Sequence, residues 1–289
     1  DYVQSHSSIP ENEWTHIAVT RDGDGTDSDS IKIYINGMLD VHGEINEYSK
    51  PDGTSEDAIY IGSWEGYNHF FPGYIDEVRI SNVVREVGGT IAFWNFNEGA
   101  GNVVRNRSPI GDYIVGQLRN MDDNDWVSGR YGTGLEFDGL NDYVDVGAHY
   151  ILRPDIITVE TWIYPTATGH QYIIDGADHL SSPKGGYFLR IQDDNEIEFR
   201  IYTSGSTHVS VTSTTTISAN NWYQIAGIFD GSTLALYVNG VCEDTVSYSG
   251  SIHYEQYVGM HIGSNVDPYR FFQGIIDEVR ISNYGKQFR

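Results

Sequence analysis

Apolar residues recur at every second position through much of this chain. Ile31, Ile33 and Ile35 alternate with Lys32 and Tyr34, and Leu234, Leu236 and Val238 alternate with Ala235 and Tyr237. A period of two is the signature of a strand with one face turned inward, because successive side chains point to opposite sides of a sheet. Ile157, Val159, Thr161 and Ile163 form another such stripe, and the runs 187–191, 196–202 and 207–212 continue it. Both of the first two runs end in Asn-Gly, at Asn36-Gly37 and Asn239-Gly240, a pair suited to tight hairpins because both residues tolerate positive φ. No segment of eleven residues or more carries a helical period. About a dozen short strands with frequent turn signals predict an all-β, two-sheet sandwich.

The pattern also repeats. Gly73-Tyr-Ile-Asp-Glu-Val-Arg-Ile-Ser-Asn82 returns as Gly274-Ile-Ile-Asp-Glu-Val-Arg-Ile-Ser-Asn283, with nine of ten residues identical. Four further blocks match in the same order: Trp14 to Ala18 with Trp222 to Ala226, Asp22-Gly23 with Asp230-Gly231, Ile33 to Gly37 with Leu236 to Gly240, and Ile61 to Ser63 with Ile262 to Ser264. So long a period means two copies of one domain rather than a solenoid. Residues 1–87 read as the C-terminal half of a domain and residues 88–289 as a complete one, joined by a short junction near residues 84–90. A half sandwich leaves a sheet face bare. Three arrangements would resolve that: the chain belongs to a longer protein, another chain completes the sheet, or the first domain rests on the second.

Composition narrows the function. With 41 acidic against 17 basic residues the net charge is −24, which opposes binding to nucleic acid or anionic membranes and attracts cations. No apolar run is long enough to insert in a membrane. Cys242 is the single cysteine and reads as a small, partly buried packing residue. Trp14, Trp162 and Trp222 fall inside strand patterns and read as core. So do the paired rings Phe70-Phe71 and Phe271-Phe272.

One residue breaks the pattern. If the last strand alternates strictly, Asp277 shares a face with Ile275, Val279 and Ile281, and Asp76 is its counterpart in the first copy. A carboxylate turned coreward costs several kcal/mol unless a cation or several donors meet it. Both a metal ion and a set of backbone amides satisfy that requirement.

Together Phe93 to Gly101, Leu135 to Gly139 with Asp142-Tyr-Val144, Val159 to Ile163, Asn221 to Ala226, Leu236 to Gly240 and Gly274 to Ile281 resemble the laminin-G-like, concanavalin A-like jelly-roll domains. The resemblance covers the second domain throughout and the first over its half. It implies two jelly-roll β-sandwiches in a secreted or cell-surface protein, with non-catalytic binding of carbohydrate or another extracellular polymer. Structural repeat units and accessory domains of polysaccharide-degrading enzymes are the alternatives. It further implies calcium at the sandwich edge. Asp277 would be the side-chain ligand, Asp138 or Gly139 and Asn95 or Asn97 would contribute from two other segments, and Asp76 would stand in the first copy.

Other chemistry is sparse. The acidic loop 22–29 lacks the terminal Glu of an EF-hand, and the ten His show no zinc spacing. Glu196 and Glu198 are the nearest approach to a hydrolase carboxylate motif and read as an exposed polar face. No Arg/Gln/His/Tyr set of the lyase type is visible on the central strands. Asn106-Arg-Ser108 matches a glycosylation sequon by chance. For sugar contact, the loop holding Trp64, Tyr67 and His69 and its counterpart holding Tyr269 and Arg270 set aromatic rings beside polar groups.

Overall fold

Alternating patterns in a computed structural model of the chain become strands throughout. It describes residues 4–6, 8–9, 11, 15, 17–22, 28–35, 38–46, 61–63, 70–75, 78, 89–108, 114–178, 184–204, 207–254 and 259–286. The chain divides into two compact units, Asp1–Val87 and Gly88–Arg289. In the first, β1 (Ile17–Asp22), β2 (Ser28–Ile35) and β3 (Met38–Asn46) form an antiparallel meander in which Val19, Ile33 and Val41 stand in register. Large apolar side chains of this unit are open to solvent, among them Val19, Phe70, Phe71 and Tyr74. The core expectation for Phe70 and Phe71 is therefore overturned: they are 66% and 54% exposed, and among the described residues of the unit the strands form one three-stranded sheet.

The second unit runs β4 (Thr90–Trp94), β5 (Val103–Arg105), β6 (Val115–Arg119), β7 (Trp126–Ser128), β8 (Thr133–Asp138), β9 (Tyr143–Gly147), β10 (Ile157–Pro165) and β11 (Gln171–Asp175). It continues with β12 (Tyr187–Ile191), β13 (Glu196–Tyr202), β14 (His208–Thr216), β15 (Tyr223–Phe229), β16 (Thr233–Val238), β17 (Val241–Ser247), β18 (Met260–Ile262) and β19 (Gln273–Ser282). Two eight-stranded sheets result. The front sheet is ordered β17-β16-β15-β10-β19-β8-β7, with β4 also paired to β19. The back sheet is ordered β14-β13-β12-β11-β18-β9-β6-β5. Every pairing in them is antiparallel, and strands distant in sequence lie side by side, as in a jelly roll.

Between the sheets lie Val159, Ile163, Ile276 and Ile281 of the front layer and Leu189, Ile191, Phe199, Ile201 and Ile262 of the back, all fully buried. Packing is close. A Cβ on Gly227 of β15 would stand 2.3 Å from the Phe199 ring, so a front strand reaches the back layer only because that position has no side chain. Phe137 and Phe272 add an edge-to-face contact with centroids 6.2 Å apart. Phe272 meets the core expectation, whereas Phe271 is half-buried. The predicted Asn239-Gly240 turn is present, with φ of 51° and 80°. Cys242 beyond it is exposed rather than partly buried, because β17 edges the front sheet.

Candidate functional site

The alternation fails where it mattered most. β10 pairs with β19 through Val159↔Ile281, Glu160↔Arg280, Trp162↔Asp277 and Ile163↔Ile276, with a register shift between Glu160 and Trp162. The extra residue falls at Glu278, a non-glycine at φ 53°. This bulge places Ile275 and Asp277 on the outer face and Val279 and Ile281 on the core face, so the expectation that Asp277 shares their face is corrected. Asp277 is nonetheless fully buried, beneath a hairpin spanning residues 129–133. Its Oδ2 accepts the Tyr131 N–H at 2.9 Å and its Oδ1 accepts the Glu278 N–H at 2.7 Å. Burial raises its pKa, outweighing the amides of Tyr131, Glu278 and Arg130 that favour the charged form.

Each oxygen of Asp277 is thus met by an amide, whereas calcium would need about six to eight oxygen ligands around it. Nor do the other implied ligands converge. Asp138 pairs with Gln273, four residues before Asp277 on β19, roughly 13 Å away at strand rise. Its Oδ1 accepts the N–H groups of Leu140, Asn141 and Asp142, and Gly139 packs against Gln273. Asn97 does approach: its Oδ1 accepts the Thr133 N–H at 2.8 Å, so Asn97 and Asp277 hold the same hairpin. The Asn95 side chain accepts the Asn97 N–H. Among the described residues no group of three or more His, Cys, Asp or Glu side chains could hold a metal. Asp76, Trp64, Tyr67 and His69 lie outside the described residues.

The hairpin covers an aromatic strip. Arg130 stands 4.5 Å over the Trp162 ring, Tyr131 meets it edge-on at 6.1 Å, and Tyr164 lies 5.4 Å from Trp222. Trp162 and Trp222 are thus half-buried on the outer face of the front sheet and not in the core, since Trp162 pairs across from Asp277 and not from Ile276. Asn106 and Ser108, by contrast, are buried. The Asn106 side chain accepts from Phe93 and donates to Ile91, which occupies the sequon.

The richest chemistry is on the outer face of the back sheet. Leu189, Phe199 and Val211 pair on the core side, so their neighbours point outward in rows. One row is Tyr172, Arg190, Glu198 and Thr212, and another is Asp175, Phe188, Arg200 and Ser210. Glu198 is held between two guanidinium forks. Arg190 donates to its Oε2 through Nε at 2.7 Å, and Arg200 donates to its Oε1 through Nε at 2.9 Å. The side chain of Glu198 is 3% exposed, so its reading as an exposed polar face is corrected: facing arginines replace water as its donors. Arg190 Nη1 also reaches His170 Nε2 at 2.9 Å, and His170 stacks on Tyr172 with centroids 5.5 Å apart. Both Arg190 and Arg200 lie over the Phe188 ring, at 5.1 and 5.2 Å. Tyr202 closes the patch against Phe188 and His208.

An Arg/His/Tyr cluster therefore does occupy the central strands, contrary to the sequence reading. Its members come from β11 to β14 and the segment before β11, so no single stretch of sequence displays it. The strict alternation of β12 and β13 was the signal available. Beneath it, Asp175 is fully buried and accepts the N–H groups of Ala177 and Val266. That second bond ties down the loop after β18, whose Asn265 accepts from Tyr269 and Arg270. This loop brings two of the expected sugar-contact residues to the patch. Arg270 is close enough to lower the His170 pKa, after burial and Arg190, and Tyr269 acts on Tyr172. Burial first, then Asp175, pushes the Tyr172 phenol up to about 12, so it stays a neutral donor.

The family profile described as concanavalin A-like lectin/glucanases superfamily (Laminin_G_3) matches residues 1–88 and 137–285, more than half of the chain. The chain belongs to this superfamily. No curated protein matches it in sequence. Among solved structures, domain 4 of AbnA, a GH43 extracellular arabinanase from Geobacillus stearothermophilus in complex with arabinotriose, is 15% identical with a TM-score of 0.53, over 69% of this chain and 95% of that one. The receptor-binding domain of botulinum neurotoxin mosaic serotype C/D is 16% identical with a TM-score of 0.52, over 68% of this chain and 48% of that one. The binding domain of Paraclostridial Mosquitocidal Protein 1 is 14% identical at 0.50, over 68% and 49%. The chain thus spans about half the length of these two toxin domains. At such identities the likeness is one of fold. Among the described residues no helix is long and apolar enough to cross a membrane.

Proposed function

We propose that the second unit is a non-catalytic carbohydrate-binding module of a secreted or cell-surface protein, and that glycan lies on the outer face of its back sheet. The observation that carries this reading is the patch of His170, Tyr172, Phe188, Arg190, Arg200 and Tyr202, rimmed by Tyr269 and Arg270. Aromatic faces pack against sugar C–H surfaces while fixed guanidinium and phenol donors meet hydroxyls. The arabinanase domain of like fold, with arabinotriose bound, agrees at the level of fold alone. A hydrolase's pair of carboxylates is not offered by the patch among the described residues. Among the described residues Glu198 is the one carboxylate at the centre of the patch, and both its oxygens are engaged by arginines. Titrating the whole chain with a panel of oligosaccharides should give saturable binding that His170→Ala and Tyr269→Ala each weaken tenfold or more, without release of reducing ends. Binding unaffected by both substitutions would refute the site.

The exposed apolar side chains of the first unit favour a second role, docking of another polypeptide chain on that unit's sheet. Light scattering should then show self-association, or association with a partner, that a Val19→Lys, Phe71→Lys variant loses.

A further inference from the structure

We infer that the ligand of the back-sheet patch is an acidic sugar, one bearing a carboxylate such as a uronate or sialate, and not a neutral one. This rests on the carbohydrate reading above and narrows it. The chain carries only 17 lysines and arginines against 41 acids, yet Arg190 and Arg200 meet at Glu198 on this one face, and the exposed Arg270 on the neighbouring loop acts on His170. Opposing them are Glu198, clamped between the first two, and Asp193, whose side chain is 90% exposed at the rim, 4.0 Å from His170. Asp175 lies beneath, with its oxygens already on backbone amides. Around Glu198 itself, two guanidiniums face one carboxylate.

Neutral sugars do not need this. Gathering guanidiniums costs mutual repulsion, and the pKa values of His170 and His208 are both lowered, by burial first and then by these arginines, with Lys184 adding to the effect at His208. An anion in place relieves that repulsion. The planar fork of arginine matches a carboxylate, and Glu198 shows the match already realised twice. Long-range repulsion from the remaining acidic surface would exclude polyanions that lack a fitting carboxylate, so recognition is local and not a matter of net charge.

The test uses the whole chain and matched pairs of ligands. Oligogalacturonate, oligomannuronate, hyaluronan oligosaccharides and sialyllactose are each titrated beside their methyl-esterified forms, with dextran sulfate and neutral arabinan, xylan and laminarin oligosaccharides alongside. At least one carboxylate form should bind tenfold or more tightly than its ester. The exposed Arg270→Gln should lower that preference at unchanged melting temperature, and Arg200→Gln should abolish it. Equal binding of acid and ester, tighter binding of a neutral glycan, or equal binding of dextran sulfate would overturn the inference while leaving a carbohydrate site standing. Silence across the whole panel would overturn the carbohydrate reading itself, and this inference with it.

Discussion

Replacing Asp277 with Asn isolates the role of its buried charge. The side chain keeps its shape, but one oxygen becomes an NH2 group that cannot accept. Either the Tyr131 or the Glu278 N–H, at 2.9 and 2.7 Å, then loses its acceptor inside a site that water does not reach. An orphaned buried donor costs about 1–3 kcal/mol, and the bond lost is to a charged group, the stronger kind. Removing a buried charge offsets part of this. The net expectation is a loss of about 2 kcal/mol, or a fall in Tm of roughly 4–8 °C for a unit of this size. The hairpin should loosen first, because Gly129 lies against Asp277 Oδ2, where a Cβ would stand 2.6 Å away. Trp162 fluorescence should shift as Arg130 leaves its ring, and the Tyr131 amide should exchange faster with solvent. Differential scanning calorimetry of both proteins, with calcium and with chelator, reads the outcome. A wild-type Tm that drops on chelation by as much as the substitution costs would refute the amide account and restore a metal. An Asn variant as stable as wild type would refute the magnitude.

Three further expectations follow from the same geometry. Burial raises the Asp142 carboxyl to about 6, against a donor from Asp138 and with Asp138 and Asp125 adding to the rise. The folded state holds that proton more tightly than the unfolded one, so the stabilisation is complete below about pH 4 and lost as pH rises through 6, by about 2–3 kcal/mol. Urea titrations from pH 4 to 7 should show that slope in wild type and a flatter one in Asp142→Asn. Gly227→Ala should cost about 2 kcal/mol by forcing the Phe199 ring to move, and a variant of wild-type stability would show that the sheets can part there. Glu198→Gln should leave two arginines facing each other across a neutral amide, lowering Tm and raising affinity for an anionic ligand. Unchanged affinity would mean that the arginines are structural.

Much of the architecture was legible because it depends on local periodicity. Strands, the Asn239-Gly240 hairpin and the core stripe of β10 follow from a period of two and from which residues accept positive φ. Repeated blocks and family motifs did the same for the jelly-roll identity. The odd Asp277 was also visible, as a carboxylate in a strand that had to be buried or partnered.

What met that carboxylate was decided in three dimensions. A bulge at Glu278, on a residue that ordinarily avoids φ 53°, moved Asp277 to the outer face and under a hairpin about 145 residues earlier in the chain, where backbone amides meet it. The arginine patch has the same origin. Arg190, Glu198 and Arg200 look like ordinary exposed strand residues one strand at a time. Only the pairing of β12 with β13, and the closing of the Asn265 loop beside them, sets two forks on one carboxylate and brings Tyr269 and Arg270 to its rim. Sequence fixes which side of a strand each group occupies as long as its period holds. Register, bulges and loop closure, which depend on contacts between distant segments, fix what each group faces.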